Sequence, residues 1–419
     1  MKPLFLISCP FDTYSGYGAR SRDVVKAIIK TDKYKVKLIS QPWGNTRFGF
    51  CDDHPEWEFL NNHILNEELI DKPEFWAQIT VPNEFQPMGK FNIGITAGIE
   101  TTLANGAWVE GMNRMNLNLV SSEHSKTSFK NAVWEKKDKA GKTISSIRLE
   151  KPIEVLFEGV NLDTYFPDNK PCMIDFDIKE SFAFLFVGHW LQGEIGQDRK
   201  NVGLLVKAFL ETFKNKSKQP ALILKTSGAN SSYMDKNEIL RKIHVIKQSC
   251  KGNLPNIYLL HGDFTDKEMN SLYNHSKVKA MVSLTKGEGF GRPLLEFTLT
   301  KKPLIATKWS GHMDFLNPKF TTLINGKLEN VHPSAANPML LKESQWFSPD
   351  HKDISKSLKS VFENYKKYSE LAKRQAHYSK TNFDWESMKD KLDNLLTAFA
   401  PEFPKQIELA IPELTLPTL

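Results

Sequence analysis

Cysteine is scarce in this chain: four residues, Cys9, Cys51, Cys172 and Cys250, in 419. They lie far apart with no C-x-x-C or C-x-H spacing, which argues against a disulfide framework and a structural zinc site and points to a reducing cytoplasm. Long apolar runs are missing as well. None reaches the ~20 residues that a membrane span needs, so no transmembrane segment is expected. The first ten residues are too short and too interrupted, by Pro10, for a signal peptide, and read as a first strand. No G-x-G-x-x-G follows that strand, which argues against a dinucleotide oxidoreductase. Ala140-Gly141-Lys142-Thr143 ends like a phosphate-binding loop, but Lys136 stands where its first glycine belongs and no buried strand precedes it. Asp52-Asp53, the one acidic pair at a turn, follows no strand and reads as a solvated turn, so no metal and no bound cofactor are expected. Internal repeats and low-complexity stretches are absent.

What is present fits a soluble globular protein, with 40% hydrophobic, 25% charged and 11% aromatic residues. At ~100–200 residues per domain, the length gives two or three domains. The net charge of +7 is unevenly spread: residues 1–170 carry a net of −1 and the rest +8. An anionic ligand is therefore to be sought in the second half. One local exception is the segment 126–151, with eight basic residues against three acidic ones.

Strand and helix patterns alternate, which predicts α/β layers. Apolar runs at 3–10, 35–40, 91–97, 117–121 and 153–157 read as strands. A glycine-bearing loop, Ser15-Gly16-Tyr17-Gly18, leads into a helix over 19–30. Pro167 and Pro171 punctuate a boundary, and a second cycle follows, with strands at 182–187, 221–225, 257–261, 280–284 and 303–307 and a helix over 201–214. The pattern predicts two Rossmann-like domains facing each other across a cleft. They would span 1–170 and 171–380, with a helix over 381–400 crossing back to the first domain and an extended tail at 401–419. Ligands in such sheets bind beyond the carboxyl ends of the strands, so the cleft is the expected site.

The sharpest feature is the run Ser283-Leu284-Thr285-Lys286-Gly287-Glu288-Gly289-Phe290-Gly291-Arg292-Pro293-Leu294-Leu295-Glu296. An apolar strand enters a loop with three alternate glycines, and a helix begins near Pro293, a favoured first-turn residue. Glycines let backbone N–H groups approach a ligand, and a helix start adds partial positive charge, so the run reads as an anion site. Glu288 and Glu296 frame it. A carboxylate beside a phosphate site is costly unless hydroxyls donate to it, and sugar hydroxyls would do so. The second element is Val187-Gly188-His189-Trp190 followed by Asp198-Arg199-Lys200-Asn201. Two cations at a helix entrance oppose the helix dipole and call for an anion. A diphosphate between this helix and the 287–291 loop would supply one.

Together with Ser121-Ser122-Glu123-His124-Ser125-Lys126, with Glu158-Gly159-Val160-Asn161 before Phe166-Pro167, and with Ser310-Gly311-His312-Met313-Asp314-Phe315, these runs resemble the ordered motifs of the retaining, family-four glycosyltransferases of the GT-B fold. The resemblance spans most of the chain. It implies a hexosyltransferase-like enzyme of class EC 2.4, with a UDP- or GDP-linked sugar as co-substrate. It implies that Arg199 and Lys200 bind the donor diphosphate and that Glu288 holds hydroxyls of the transferred sugar. Gly289 would belong to the donor site, the backbone at Phe290 and Gly291 would meet the distal phosphate, and Glu296 would bind the ribose. The stretch from His261 to Phe264 would flank the base, and Gly16 would lie under the diphosphate from the other domain. The chain departs from the pattern at His189, where an arginine is common; this histidine would serve as a partly charged donor. The segment 192–198 is longer than usual and would cover the donor. Glu100, in Gly98-Ile99-Glu100-Thr101-Thr102, would face the acceptor. His124 is the other candidate on that side, although its place in a helix-start motif favours packing or capping.

The implied reaction breaks the anomeric bond of the donor, leaving charge on the diphosphate for Arg199, Lys200 and the 287–291 turn to stabilise without a metal. The acceptor stays open. One reading is a glycan or lipid-linked glycan at a membrane face, with 126–151 drawn to anionic lipid. Another is duplex DNA with a hydroxymethylated base, its phosphates tracked by the same segment and by Arg20, Arg22, Lys26 and Lys30. A third, of a different class, is a sugar-nucleotide-binding protein without catalysis. Trp43, Phe48, Phe50 and Trp57 form either an acceptor wall or core.

Overall fold

A computed structural model describes residues 2–138, 140–170, 172–174, 176–228 and 232–403. Most of the expected tail lies outside these residues. Two six-stranded parallel sheets dominate. The first runs Lys35–Ser40, Leu4–Cys9, Phe75–Ile79, Phe91–Ile95, Leu117–Val120, Ile153–Val155. The second runs Ile257–Leu260, Ala221–Lys225, Ala183–Val187, Val278–Ser283, Leu304–Thr307, Thr322–Ile324. Near-continuous apolar runs such as Phe5-Leu6-Ile7 and Ala183-Phe184-Leu185-Phe186 are buried on both faces, as parallel sheets sandwiched by helices require. Two Rossmann-like halves follow, as the sequence predicts.

Topology places the cleft. In each sheet the strand order reverses beside the first strand of that half, and at such a switch point the loops leaving neighbouring strands diverge and open a crevice. In the first half those loops follow Leu4–Cys9, ahead of helix Gly16–Lys30, and Phe75–Ile79; the loop after the next strand, Phe91–Ile95, carries Glu100. In the second they follow Ala183–Val187 and Val278–Ser283.

The chain returns to its first half at the end. Helix Trp385–Phe399 packs on Gly16–Lys30: Lys33 pairs with Asp393 at 2.6 Å and Trp385 Nε1 donates to the Asp23 carbonyl at 3.3 Å. Gly159 lies under this return, where a Cβ would come within 2.7 Å of the Trp385 Cα. Only glycine lets the two backbones cross so closely.

The structure also differs from the sequence reading. Strand Phe75–Ile79 and helix Tyr233–Gln248 went unread. Asp52 and Asp53 belong to a single helical turn, Phe50–Asp53, and Asp53 is held by Arg47 at 2.6 Å. Arg20 and Arg22 are not phosphate-tracking side chains. Both are buried: Arg20 donates to the carbonyls of Phe157 and Leu156, and Arg22 to those of Phe11 and Thr13. Loop carbonyls at sheet ends need donors once water is excluded, and these two arginines provide them.

Candidate functional site

The loop after strand Ala183–Val187 ends at helix Val202–Phe213, and its last turn is fixed from within. Asn201 takes a left-handed conformation (φ +58°), and buried Asp198 accepts from the Val202 amide at 3.1 Å. The Arg199 carbonyl accepts from the Lys286 amide at 2.8 Å, tying this loop to the one that follows Val278–Ser283. Arg199 and Lys200 are thereby directed toward Glu288. Lys200 Nζ lies 2.5 Å from Glu288 Oε1, and Arg199 Nη1 lies 3.4 Å from Oε2 while donating to the Gly287 carbonyl at 2.9 Å. From the other half, Glu100 reaches Arg199 at 3.7 Å.

The electrostatics of this quartet follow from its burial. Burial alone would push the Glu288 carboxyl up, but Lys200 and Arg199 outweigh it and hold it at about 2. Lys200 is lowered by burial, with Glu288 opposing; Arg199 is raised because Glu100 and Glu288 overcome its burial. Two cations and two carboxylates balance, so the site carries two cations whose partners can be exchanged for another anion. His189 stands beside them, Nδ1 3.1 Å from Ser227 Oγ. Its pKa is lowered by burial and by the neighbouring charges of Lys200 and Arg199.

The glycines of the loop serve the cleft itself. A Cβ on Gly287 would sit 1.8 Å from the Glu100 carbonyl oxygen, and one on Gly289 2.5 Å from that of Ala97. The Gly289 carbonyl in turn accepts from Ser122 Oγ at 2.5 Å and Ser121 Oγ at 3.1 Å. Ser122 is also the N-cap of helix Glu123–Asn131. The sequence reading has these glycines bring backbone N–H groups close to a ligand; what Gly287 and Gly289 admit in the structure is the chain's own backbone. Gly291 turns the chain (φ +99°) into the seven-residue helix Arg292–Thr298. Among the described residues, the amides of Phe290 and Gly291 have no protein acceptor. The Phe290 ring points into the core against Phe315.

The remaining predicted residues fall into separate groups. Glu296 is buried; Tyr273 donates to it at 3.2 Å and Arg292 at 3.0 Å, and Arg292 also pairs with Asp23 of the first half at 2.6 Å. Burial raises the Glu296 carboxyl to about 7, with Arg292 opposing. His261 bonds Asp235 at 2.8 Å, and Phe264 lies under Lys225 Nζ at 4.5 Å, both beyond the ends of Ala221–Lys225 and Ile257–Leu260. No atom would lie within 4 Å of a Cβ on Gly16, so that residue faces open space. His124 packs edge-on against Trp309, with its Nε2 buried and unpartnered and its pKa lowered to about 4 chiefly by burial. It caps nothing. Glu100, expected to face the acceptor, turns to Arg199 of the second half.

Asp23, Arg292 and Ser310 went unread as site residues. Asp23 and Arg292 are 269 positions apart, and no local pattern links them. Ser310 sat in a motif, but only its backbone geometry gives it away.

No family model and no curated protein matches this chain. Solved structures do. A sucrose-phosphate synthase from Thermosynechococcus elongatus matches with a TM-score of 0.61 at 12% identity, covering 95% of this chain and 99% of that one. HepE from Anabaena, solved with UDP and glucose, matches at 0.60 and 13%, covering 94% and 100%. A trehalose-6-phosphate synthase from Burkholderia multivorans matches at 0.57 and 10%, covering 95% and 99%. The chain has the GT-B fold of these glycosyltransferases.

Proposed function

We propose that this chain is a retaining glycosyltransferase that moves a sugar from a UDP- or GDP-linked donor to a hydroxyl of a glycan or lipid-linked glycan, in the cytoplasm and without a metal. Residues 171–380 would hold the donor and 1–170 the acceptor. The observation that carries this reading is the convergence of Arg199, Lys200 and Glu288 at the switch point of the second sheet, facing Glu100 across the cleft.

A diphosphate entering there exchanges the carboxylate partners of Arg199 and Lys200 for phosphate oxygens, while the amides of Phe290 and Gly291 meet the distal phosphate. Glu288, released from the cations, accepts hydrogen bonds from hydroxyls of the sugar and orients its anomeric carbon toward the first half. As the anomeric bond breaks, negative charge grows on the diphosphate, where two preorganised cations already stand. The acceptor oxygen bonds to the anomeric carbon on the face that the diphosphate leaves and gives its proton to the leaving phosphate, which accounts for retention without a protein nucleophile. HepE, solved with UDP and glucose, lends support for a UDP-linked donor. The burial of Arg20 and Arg22 removes two of the four helix cations that a DNA acceptor would use, and so favours the glycan.

The test is nucleoside diphosphate release from a panel of UDP- and GDP-linked hexoses, followed by an acceptor screen that includes hydroxymethylated DNA. Wild type is expected to release the diphosphate slowly without acceptor, and Glu288→Ala to abolish release. Tight donor binding with no turnover for any acceptor would favour the non-catalytic reading instead.

A further inference from the structure

Ser310 stands in a backbone conformation that residues with side chains avoid, φ +79° and ψ −164°. This region is essentially reserved for glycine, because a Cβ crowds the adjoining peptide groups. Such strain persists only where the surroundings over-determine it, and at Ser310 they can be named. Ser310 Oγ accepts the amide N–H of Glu288 at 2.9 Å. The next amide, that of Gly311, donates to the Glu288 carbonyl at 3.0 Å. One dipeptide thus holds both backbone groups of one residue.

The dipeptide is itself anchored. His312 Nε2 bonds the Thr307 carbonyl at 2.6 Å, and Thr307 Oγ1 donates to the Thr285 carbonyl at 2.8 Å. Gly311 has no latitude, since a Cβ there would lie 2.1 Å from the Gly289 carbonyl oxygen. Ser310, His312, Thr307 and Glu288 are all buried. Fixing both ends of the Glu288 peptide fixes its Cα–Cβ direction, and with it the reach of a carboxylate that must sit between two cations and then turn to a sugar. A glycine at 310 would relieve the strain but leave the Glu288 N–H without its acceptor.

We propose that Ser310 is a positioning residue for Glu288: its hydroxyl, held by a strained backbone, fixes the carboxylate at the reacting sugar. The proposal rests on the glycosyltransferase reading of the site. Two variants separate its parts. Ser310→Gly removes hydroxyl and strain together; Ser310→Ala removes the hydroxyl and keeps the strain. The readouts are the melting temperature and steady-state release of nucleoside diphosphate from the donor panel, with Glu288→Ala as the reference. Ser310→Gly is expected to melt above Ser310→Ala, while both lose about tenfold or more in kcat, as a misaligned group does, with KM for the donor within about threefold. A merely structural serine would leave kcat intact in the better-folded glycine variant. That result, with Glu288→Ala inactive, overturns the proposal and spares the reading of the site. Melting of the glycine variant below the alanine variant overturns the strain. Release unaffected by Glu288→Ala, or none from wild type with any donor, overturns the underlying reading and the proposal with it.

Discussion

Glu296 shows how far a single side chain can be pushed by its neighbours. Its carboxyl is raised to about 7 because burial outweighs the pull of Arg292, which Asp23, Glu158 and Asp266 share. Below pH 4.5 the group is protonated in both folded and unfolded chains; between 4.5 and about 7 only the unfolded chain ionises, so stability falls across that window as pH rises. Glu296→Gln, which cannot ionise, is expected to match wild type near pH 5 in thermal melts and exceed it near pH 8, by at most about 3 kcal/mol. A variant that loses stability more steeply at pH 8 would contradict this assignment of charge. At this scale much of the site was legible. Glu288, Arg199 and Lys200 were readable because alternate glycines, a first-turn proline and paired cations at a helix entrance are local patterns. The ion pair of Glu100 with Arg199, that of Asp23 with Arg292, and the backbone of Ser310 were not, because closure of the two halves and the packing of one loop on another create them. Arg20 and Arg22 misled for a related reason: a basic stripe on a helix reads as solvated unless one knows which carbonyls end up beneath it.

Among the elements, the 287–291 loop and helix Gly16–Lys30 face the cleft with opposite tolerances. Gly287 abuts the Glu100 backbone, and a backbone cannot step aside as a flexible side-chain tip can. Gly287→Ala is therefore expected to lower the melting temperature and to weaken UDP or GDP binding together. Gly16→Ala has open space around its new methyl and is expected to leave melting unchanged. With Gly16 under the diphosphate, the same substitution is expected to weaken nucleotide binding in a calorimetric titration. Equal melting losses at both positions would show that the cleft is not packed in this way. Strand boundaries were readable to within a few residues wherever apolar runs met polar turns. The central strand Phe75–Ile79 was missed because its run, Phe75-Trp76-Ala77-Gln78-Ile79, is short and places a glutamine among buried residues, with Gln78 Oε1 accepting the Gln86 amide at 2.8 Å. Helix Tyr233–Gln248 buries only Ile239, Ile243 and Ile246, too narrow a stripe to stand out.

Bonds that hold the two halves together include those of Ser121 and Ser122 to the Gly289 carbonyl, of the Glu123 amide to Asp314 at 2.9 Å, and of Arg292 to Asp23. Asp23→Asn weakens the last of these, a charge-assisted bond worth on the order of 2 kcal/mol. Small-angle scattering of that variant is expected to show a larger radius of gyration, reversed by excess nucleoside diphosphate; an unchanged radius would assign the pair to stability alone. The two-sheet plan was legible from alternating strand and helix signals, whereas these bonds join positions more than 160 apart and leave no trace in the sequence. The most direct test of the account is diffraction from crystals soaked with UDP and with GDP. The diphosphate is expected within hydrogen-bond reach, about 3 Å, of Lys200 Nζ, the Arg199 guanidinium and the Phe290 and Gly291 amides, with Glu288 displaced from both cations. Density for the nucleotide anywhere else, or Glu288 still locked between Arg199 and Lys200 with neither compound bound, would contradict it.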